Sequence, residues 1–368
     1  MSRGLRIAFF GSSLVSAYWN GAATYYRGIL RALHSRGHQI TFYEPDAFDR
    51  QKHRDLKEDP PWARVVVYSA KGTHAMYRCL EDAKRADLVV KASGVGVFDE
   101  LLEREVLMLQ SSDRRVVFWD VDAPATLERM ESNPQDAFRA LAPRYDLIFT
   151  YGGGDPVVQA YARFGAKRCV PIYNALDPDT HHLVSTDPRF EGDLAFLGNR
   201  LPDREARVEE FFLRAATRLP SKRFLLGGNG WGDKQLPPNV NYLGHVYTDD
   251  HNALNCTARV VLNINRDSMA RFGFSPATRV FEAAGAGACI LTDAFRGVEQ
   301  FLEPGREILV AHDGEEVAAQ LQDLPAERAR EIGQAALQRV LAEHTYLHRA
   351  ARVEEALGLP TRQARAAP

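Results

Sequence analysis

The sequence predicts an α/β protein of two Rossmann-like domains. Short apolar runs alternate with helical patterns along nearly the whole chain, the order of parallel α/β layers. The runs fall into two similar series, parted by "NALDPDTHHLVSTDPRFEG" (174–192), a Pro- and Asp-rich linker. At 368 residues the chain also exceeds what one ordinary core accommodates.

In the first series "LRIAFF" (5–10), "HQITFYE" (38–44), "RVVVYS" (64–69), "DLVVKA" (87–92), "RRVVFWD" (114–120) and "DLIFTY" (146–151) read as strands. Ala22, Tyr26, Ile29, Leu30 and Leu33 recur at helical spacing, and Gly37 in "SRGH" ends that helix. The second series is "DLAFLG" (193–198), "RFLLGG" (223–228), "VNYLG" (240–244), "RVVLNI" (259–264), "CILTD" (289–293) and "REILVA" (306–311). A helical region over 325–357 follows, and "TRQARAAP" at the end reads as frayed. The expected domains are 1–178 and 179–342, with 343–368 a helix and tail. Ligands of such sheets sit at the carboxyl ends of strands, here also between the domains.

With 45% hydrophobic and 26% charged residues, this is a globular chain able to bury large cores. A net charge of −2 gives no reason to expect nucleic acid or an anionic membrane as partner. Cys79, Cys169, Cys256 and Cys289 form no CxxC pair, and Cys169 and Cys289 lie in apolar strand-like runs, as small buried residues do. "MSRGLRIAFFGSS" lacks the long apolar core of a signal peptide, and no apolar stretch approaches 18 residues. The expectation is a cytoplasmic protein without an integral membrane segment.

The first strand runs into "FFGSSLVSAYWNGAATYYRG" (9–28), where Gly11 and Ser12 open a loop of small residues before a helix. Such a loop can offer backbone N–H groups to a phosphate. The GxGxxG fingerprint is absent, so Glu44 reads as a solvated strand-end acid rather than a ribose ligand. The insert "YWNG" (18–21) brings Asn20 toward a substrate, or forms a surface loop plugged by Trp19. "WDVDAP" (119–124) leaves three uses open for its acids. Asp120 and Asp122 can hold a divalent ion on a diphosphate, Asp122 can face the sugar or acceptor without metal, or it can cap the next helix.

In the second half, "FLGNRLPDRE" (196–205) places Asn199, Arg200 and Arg204 after a strand. Guanidinium forks suit phosphate oxygens, and a fixed cation stabilises a departing diphosphate. The alternative is an exposed Arg paired with Glu205 or Glu209. "LGHVYTDDHNAL" (243–254) sets His245 past a strand, beside a turn that can read a nucleobase. "LNINRDSMARFGFSPATRVFEAAGAGACILTD" (262–293) is the richest segment. Asn265 and Arg266 end a strand; Ser275 lies in the polar loop; Arg279 and Glu282 stand on the following helix. A carboxylate there can accept both hydroxyls of a ribose. The run Ala283, Ala284, Gly285, Ala286, Gly287 lets that helix pack closely on the sheet.

"RVFEAAGAGACILTD", with "FLGN…DR", "GHV" and "LNINRDSM", resembles the group 1 glycosyltransferases of GT-B fold, and among them the CgeB-like branch of spore-maturation proteins. The likeness is strong over 193–311 and covers most of the chain. It implies two Rossmann-like domains facing a cleft, the last helix returning to the N-terminal domain, and a nucleotide-sugar donor on the C-terminal domain. By that likeness Glu282 holds the ribose and Arg204 faces the diphosphate, helped by Arg200, Arg266 or Arg279. Two departures stand out: Phe274 occupies the place of a second family Glu, and Ala22 that of a frequent His. The resulting expectation is a glycosyltransferase of hexosyltransferase type acting on an unknown acceptor. It would use no metal or cofactor, retain configuration, and set Asp122 and Asn20 toward the sugar or acceptor. The rivals are a catalytically silent nucleotide- or sugar-binding protein, a metal-dependent transferase using Asp120 and Asp122, and a sugar-nucleotide epimerase.

Overall fold

A computed structural model describes residues 4–18, 20–202 and 204–360, the Ser268 side chain excepted. Trp19 and the tail 361–368 lie outside the described residues. The chain divides into two units: Met1–Tyr173 with Tyr346–Pro368, and Asn174–Thr345. The changeovers fall a few residues from the expected 178/179 and 342/343.

The first unit holds strands β1 (Arg6–Phe10), β2 (Gln39–Asp46), β3 (Ala63–Ser69), β4 (Leu88–Ala92), β5 (Arg115–Asp120), β6 (Leu147–Thr150) and β7 (Cys169–Pro171). They form one parallel sheet in the order β3-β2-β1-β4-β5-β6-β7, with Ile7 level with Ile40 on one side and Leu88 on the other. Sequence patterning supplied all of these but β7, which is three residues long and ends in proline. Parallel strands covered on both faces need continuous apolar runs, and β4 and β6 are buried throughout. Phe9 stacks on Phe42 at 5.3 Å, and Trp119 donates from Nε1 to the Tyr25 hydroxyl at 3.0 Å.

The C-terminal helix Tyr346–Ala356 belongs to this first unit and packs on helix Ala23–Ser35. Its Glu354 is buried, accepting from Arg36 at 2.5 Å and facing His38 Nε2 at 3.0 Å. The other ring nitrogen of His38 accepts from the Leu5 N–H at 3.1 Å. A buried carboxylate satisfied on both oxygens fixes where this helix docks.

The second unit holds β8 (Leu194–Leu197), β9 (Phe224–Gly227), β10 (Val240–Gly244), β11 (Val261–Asn263), β12 (Ile290–Asp293) and β13 (Leu309–Ala311). Their order is β10-β9-β8-β11-β12-β13, again parallel. Phe196, Phe212, Phe224, Leu262, Leu291 and Trp231 lie in its core. In both sheets the strand order reverses beside the first strand, between β1 and β4 and between β8 and β11. The loops leaving those strands are where ligands of such sheets collect.

Candidate functional site

At the carboxyl rim of the first sheet, the loop after β1 is tied from within. Gly11 lies against the Phe42 ring and donates its N–H to Tyr43 O at 3.1 Å. The Ser12 hydroxyl donates to Asn20 Oδ1 at 2.8 Å, while Asn20 Nδ2 donates to the carbonyls of Ser13 (2.8 Å) and Ser16 (3.0 Å). Both amide protons of Asn20 are thus spent on its own loop, which corrects the expectation that it is held out to a substrate. Glu44 is corrected too. It is fully buried rather than solvated, accepting from the Ser13 hydroxyl (2.9 Å), the Leu14 N–H (2.6 Å) and Gln51 Nε2 (2.6 Å). A fully buried carboxylate with three donors already on it is a clasp for the loop rather than an open ribose ligand.

Asp120 behaves alike. Its Oδ1 accepts from the Ser93 hydroxyl (2.7 Å), the Asp122 N–H (3.0 Å) and the Thr126 hydroxyl (3.1 Å), and its Oδ2 from the Tyr161 hydroxyl (2.5 Å). Asp122 occupies the cap position of helix Ala123–Ser132 without capping it through its side chain, which is exposed. The two acids therefore sit in different surroundings, one locked and one presented to solvent.

At the rim of the second sheet, Arg204 lies at the start of the helix after β8. Its Nη1 rests over Gly198, where a Cβ would stand 3.1 Å away, so a side chain at 198 would press on the guanidinium. Arg279 belongs to helix Thr278–Gly285 and lies over the Phe196 ring at 5.6 Å. Burial, and then the nearby charge of Arg204, push its pKa down to about 10, against the pull of Glu282. The structure thus brings Arg204, Arg279 and Glu282 into one electrostatic neighbourhood. Arg279 feels one like charge and one opposite charge there, and its cation is short of negative charge.

Glu282 is one-fifth exposed, and its Oε1 lies 3.9 Å from His181 Nε2. Among the described residues no hydrogen bond reaches this carboxylate, which leaves its lone pairs open. His251 also feels Glu282, and burial lowers its pKa. The small residues after Glu282 do more than seat the helix on the sheet. A Cβ on Gly285 would overlap Leu176 and stand 2.9 Å from the His181 carbonyl, so this glycine admits the linker that carries His181.

Asn265 is buried, donating its N–H to Asp293 Oδ1 at 3.0 Å while its Nδ2 has no partner among the described residues. A buried amide donor without an acceptor costs stability unless something else accepts it. Asp293 also receives Arg207 at 2.5 Å; burial raises its pKa against these donors. Ser275 is buried and Arg266 exposed at the cap of helix Asp267–Phe272. Phe274 is buried in a left-handed conformation, φ +49°, with Arg296 over its ring at 5.3 Å.

Three expected residues turn elsewhere. Arg200 pairs with Glu205 at 2.7 Å and Asp233 at 3.0 Å, taking the ion-pair alternative, and with Lys234 it holds the Glu205 carboxyl at about 2. Asn199 accepts the Asn229 N–H at 2.9 Å. His245 is exposed, edge-on to Tyr247 at 4.6 Å. The sequence reading missed Arg207, His181 and His251. Arg207, three residues after Arg204 on one helix, carried a signal; the two histidines, in or beside a polar loop, carried none.

Residues 204–355 match a family described as glycosyl transferase-like. No curated protein matches the chain by sequence. Among solved structures, Anabaena HepE in complex with UDP-glucose is similar at 14% identity and TM-score 0.65, over 96% of this chain and 99% of that one. Sucrose-phosphate synthase of Thermosynechococcus elongatus gives 14% and 0.67, over 96% and 98%. The trehalose-6-phosphate synthase OtsA gives 12% and 0.68, over 97% and 100%. The chain thus has the two-domain GT-B fold of these structures, and within it residues 204–355 match the glycosyl transferase-like family.

Proposed function

We propose that the protein transfers a sugar from a nucleoside-diphosphate sugar, with its second unit holding the donor. The observation that carries this reading is the Arg204–Arg279 pair beside Glu282, at the point where the strand order of the second sheet reverses. The paired guanidinium groups suit the diphosphate, and the open carboxylate suits two vicinal ribose hydroxyls. HepE was solved with UDP-glucose, which makes UDP-glucose the first donor to try.

As the glycosidic bond breaks, negative charge grows on the diphosphate, and a fixed cation pair stabilises it without a metal. Asp120, occupied by four donors, supports a metal-free reaction. Retention of configuration and membership in the CgeB-like branch follow from the resemblance of the "RVFEAAGAGACILTD" and "LNINRDSM" segments. Asp122, exposed at a rim of the first sheet, is the acid we assign to the acceptor side. The test is UDP release from UDP-glucose, with saccharide acceptors, in excess EDTA. Turnover that survives EDTA supports the proposal; activity that EDTA abolishes and Mn²⁺ restores overturns its metal independence.

A further inference from the structure

The Glu282 carboxylate faces a histidine that the proposed chemistry has not yet used. His181 is 6% exposed, its N–H bonded to Asp177 O at 3.0 Å and its Nδ1 2.9 Å from the Thr180 hydroxyl. These contacts fix the ring plane and aim Nε2 at Glu282 Oε1 across 3.9 Å. That gap is too long for a direct hydrogen bond. It does admit one hydroxyl oxygen at about 2.8 Å from both atoms, the ordinary distance for such contacts. A hydroxyl both donates and accepts, and this pair offers it one acceptor, the carboxylate, and one donor, the ring N–H. The Thr180 hydroxyl lies 3.1 Å from Asp177 O and 2.9 Å from Nδ1, and turning its one proton from that carbonyl to Nδ1 leaves Nε2 as the ring N–H that the clasp uses. The Nε2 of the neighbouring His251 is engaged elsewhere, 3.3 Å from Val246 O.

Resting on the nucleotide-donor reading above, we infer that His181 is a specificity-determining residue: with Glu282 it clasps one hydroxyl of the donor ribose and so selects ribonucleotides over deoxyribonucleotides. A site built to pair a hydroxyl rejects the analogue that lacks it, because both of its groups are then left unpaired. Glutamine places an amide N–H near the position of Nε2, whereas leucine fills the buried space without a donor.

The experiment is titration calorimetry of the full chain with UDP, 2′-deoxy-UDP and 3′-deoxy-UDP. Wild type is expected to bind UDP at least tenfold more tightly than one of the two analogues, the size of a hydrogen bond to a charged group. That ratio should collapse toward one in His181→Leu and return in His181→Gln. A merely structural role for His181 would weaken all three nucleotides together and leave the ratio intact, which overturns the inference. A wild-type ratio near one overturns it as well. Glu282→Gln separates the two levels of the argument. If it leaves UDP affinity unchanged, or if wild type binds no nucleotide, the donor reading itself fails. If UDP binding depends on Glu282 while the ratio ignores His181, only this inference fails.

Discussion

Replacing Arg279 by methionine should make the protein more stable and a worse nucleotide binder. The pKa of this guanidinium falls from its ordinary value to about 10, burial first and Arg204 second. That drop corresponds to at most about 3 kcal/mol against the charged form, and partial solvent access reduces it, so we expect a gain of about 1–3 kcal/mol. The sign follows from the chemistry of a base. A lowered folded-state pKa means the fold disfavours the cation at every pH below about 10, so the whole effect is present at neutral pH and fades only as pH rises toward and beyond that value. Methionine keeps a contact with the Phe196 ring and drops the charge. On the proposed reading a bound diphosphate supplies the missing counter-charge in the wild type, so UDP should raise the stability of the wild type more than that of Arg279→Met. Urea unfolding at pH 7, with and without UDP, reads both quantities. An apo variant less stable than wild type, with its UDP response intact, would refute the reasoning.

Glu282→Ala should weaken UDP roughly 10- to 100-fold in calorimetry with little change in kcat, because ribose hydroxyls hardly change charge during transfer. Arg204→Ala should instead lower kcat by roughly 100-fold or more in steady-state kinetics, since on the proposed reading it faces a diphosphate that gains charge. In the first unit, Glu354→Ala leaves Arg36 and His38 buried without their carboxylate, so a loss of about 3–5 kcal/mol in chemical denaturation is expected, with UDP affinity unchanged.

Period-two and continuous apolar runs located nearly every strand, because a covered parallel sheet leaves little room for polar residues. β7 escaped because three residues ending in proline carry too little pattern. In the second half the residue types were legible, and Arg279 lies within electrostatic reach of Arg204 and Glu282. What sequence cannot convey is where a side chain spends its hydrogen bonds. Asn20 and Glu44 look available in the text of the chain, yet both are consumed in holding the loop after β1. Arg200 likewise stands four residues from Arg204 and still turns to Glu205 and Asp233. His181 shows the opposite failure. Its linker reads as a spacer, and only the close approach allowed at Gly285 brings its ring to Glu282.

The central claim is that the second unit binds a nucleoside diphosphate between a guanidinium pair and a carboxylate. A crystal structure of the chain with UDP tests it most directly. The account predicts phosphate oxygens within hydrogen-bond distance of Arg204 and Arg279, and a ribose hydroxyl on Glu282. UDP bound elsewhere on the chain, or no UDP bound at saturating concentration, would contradict it.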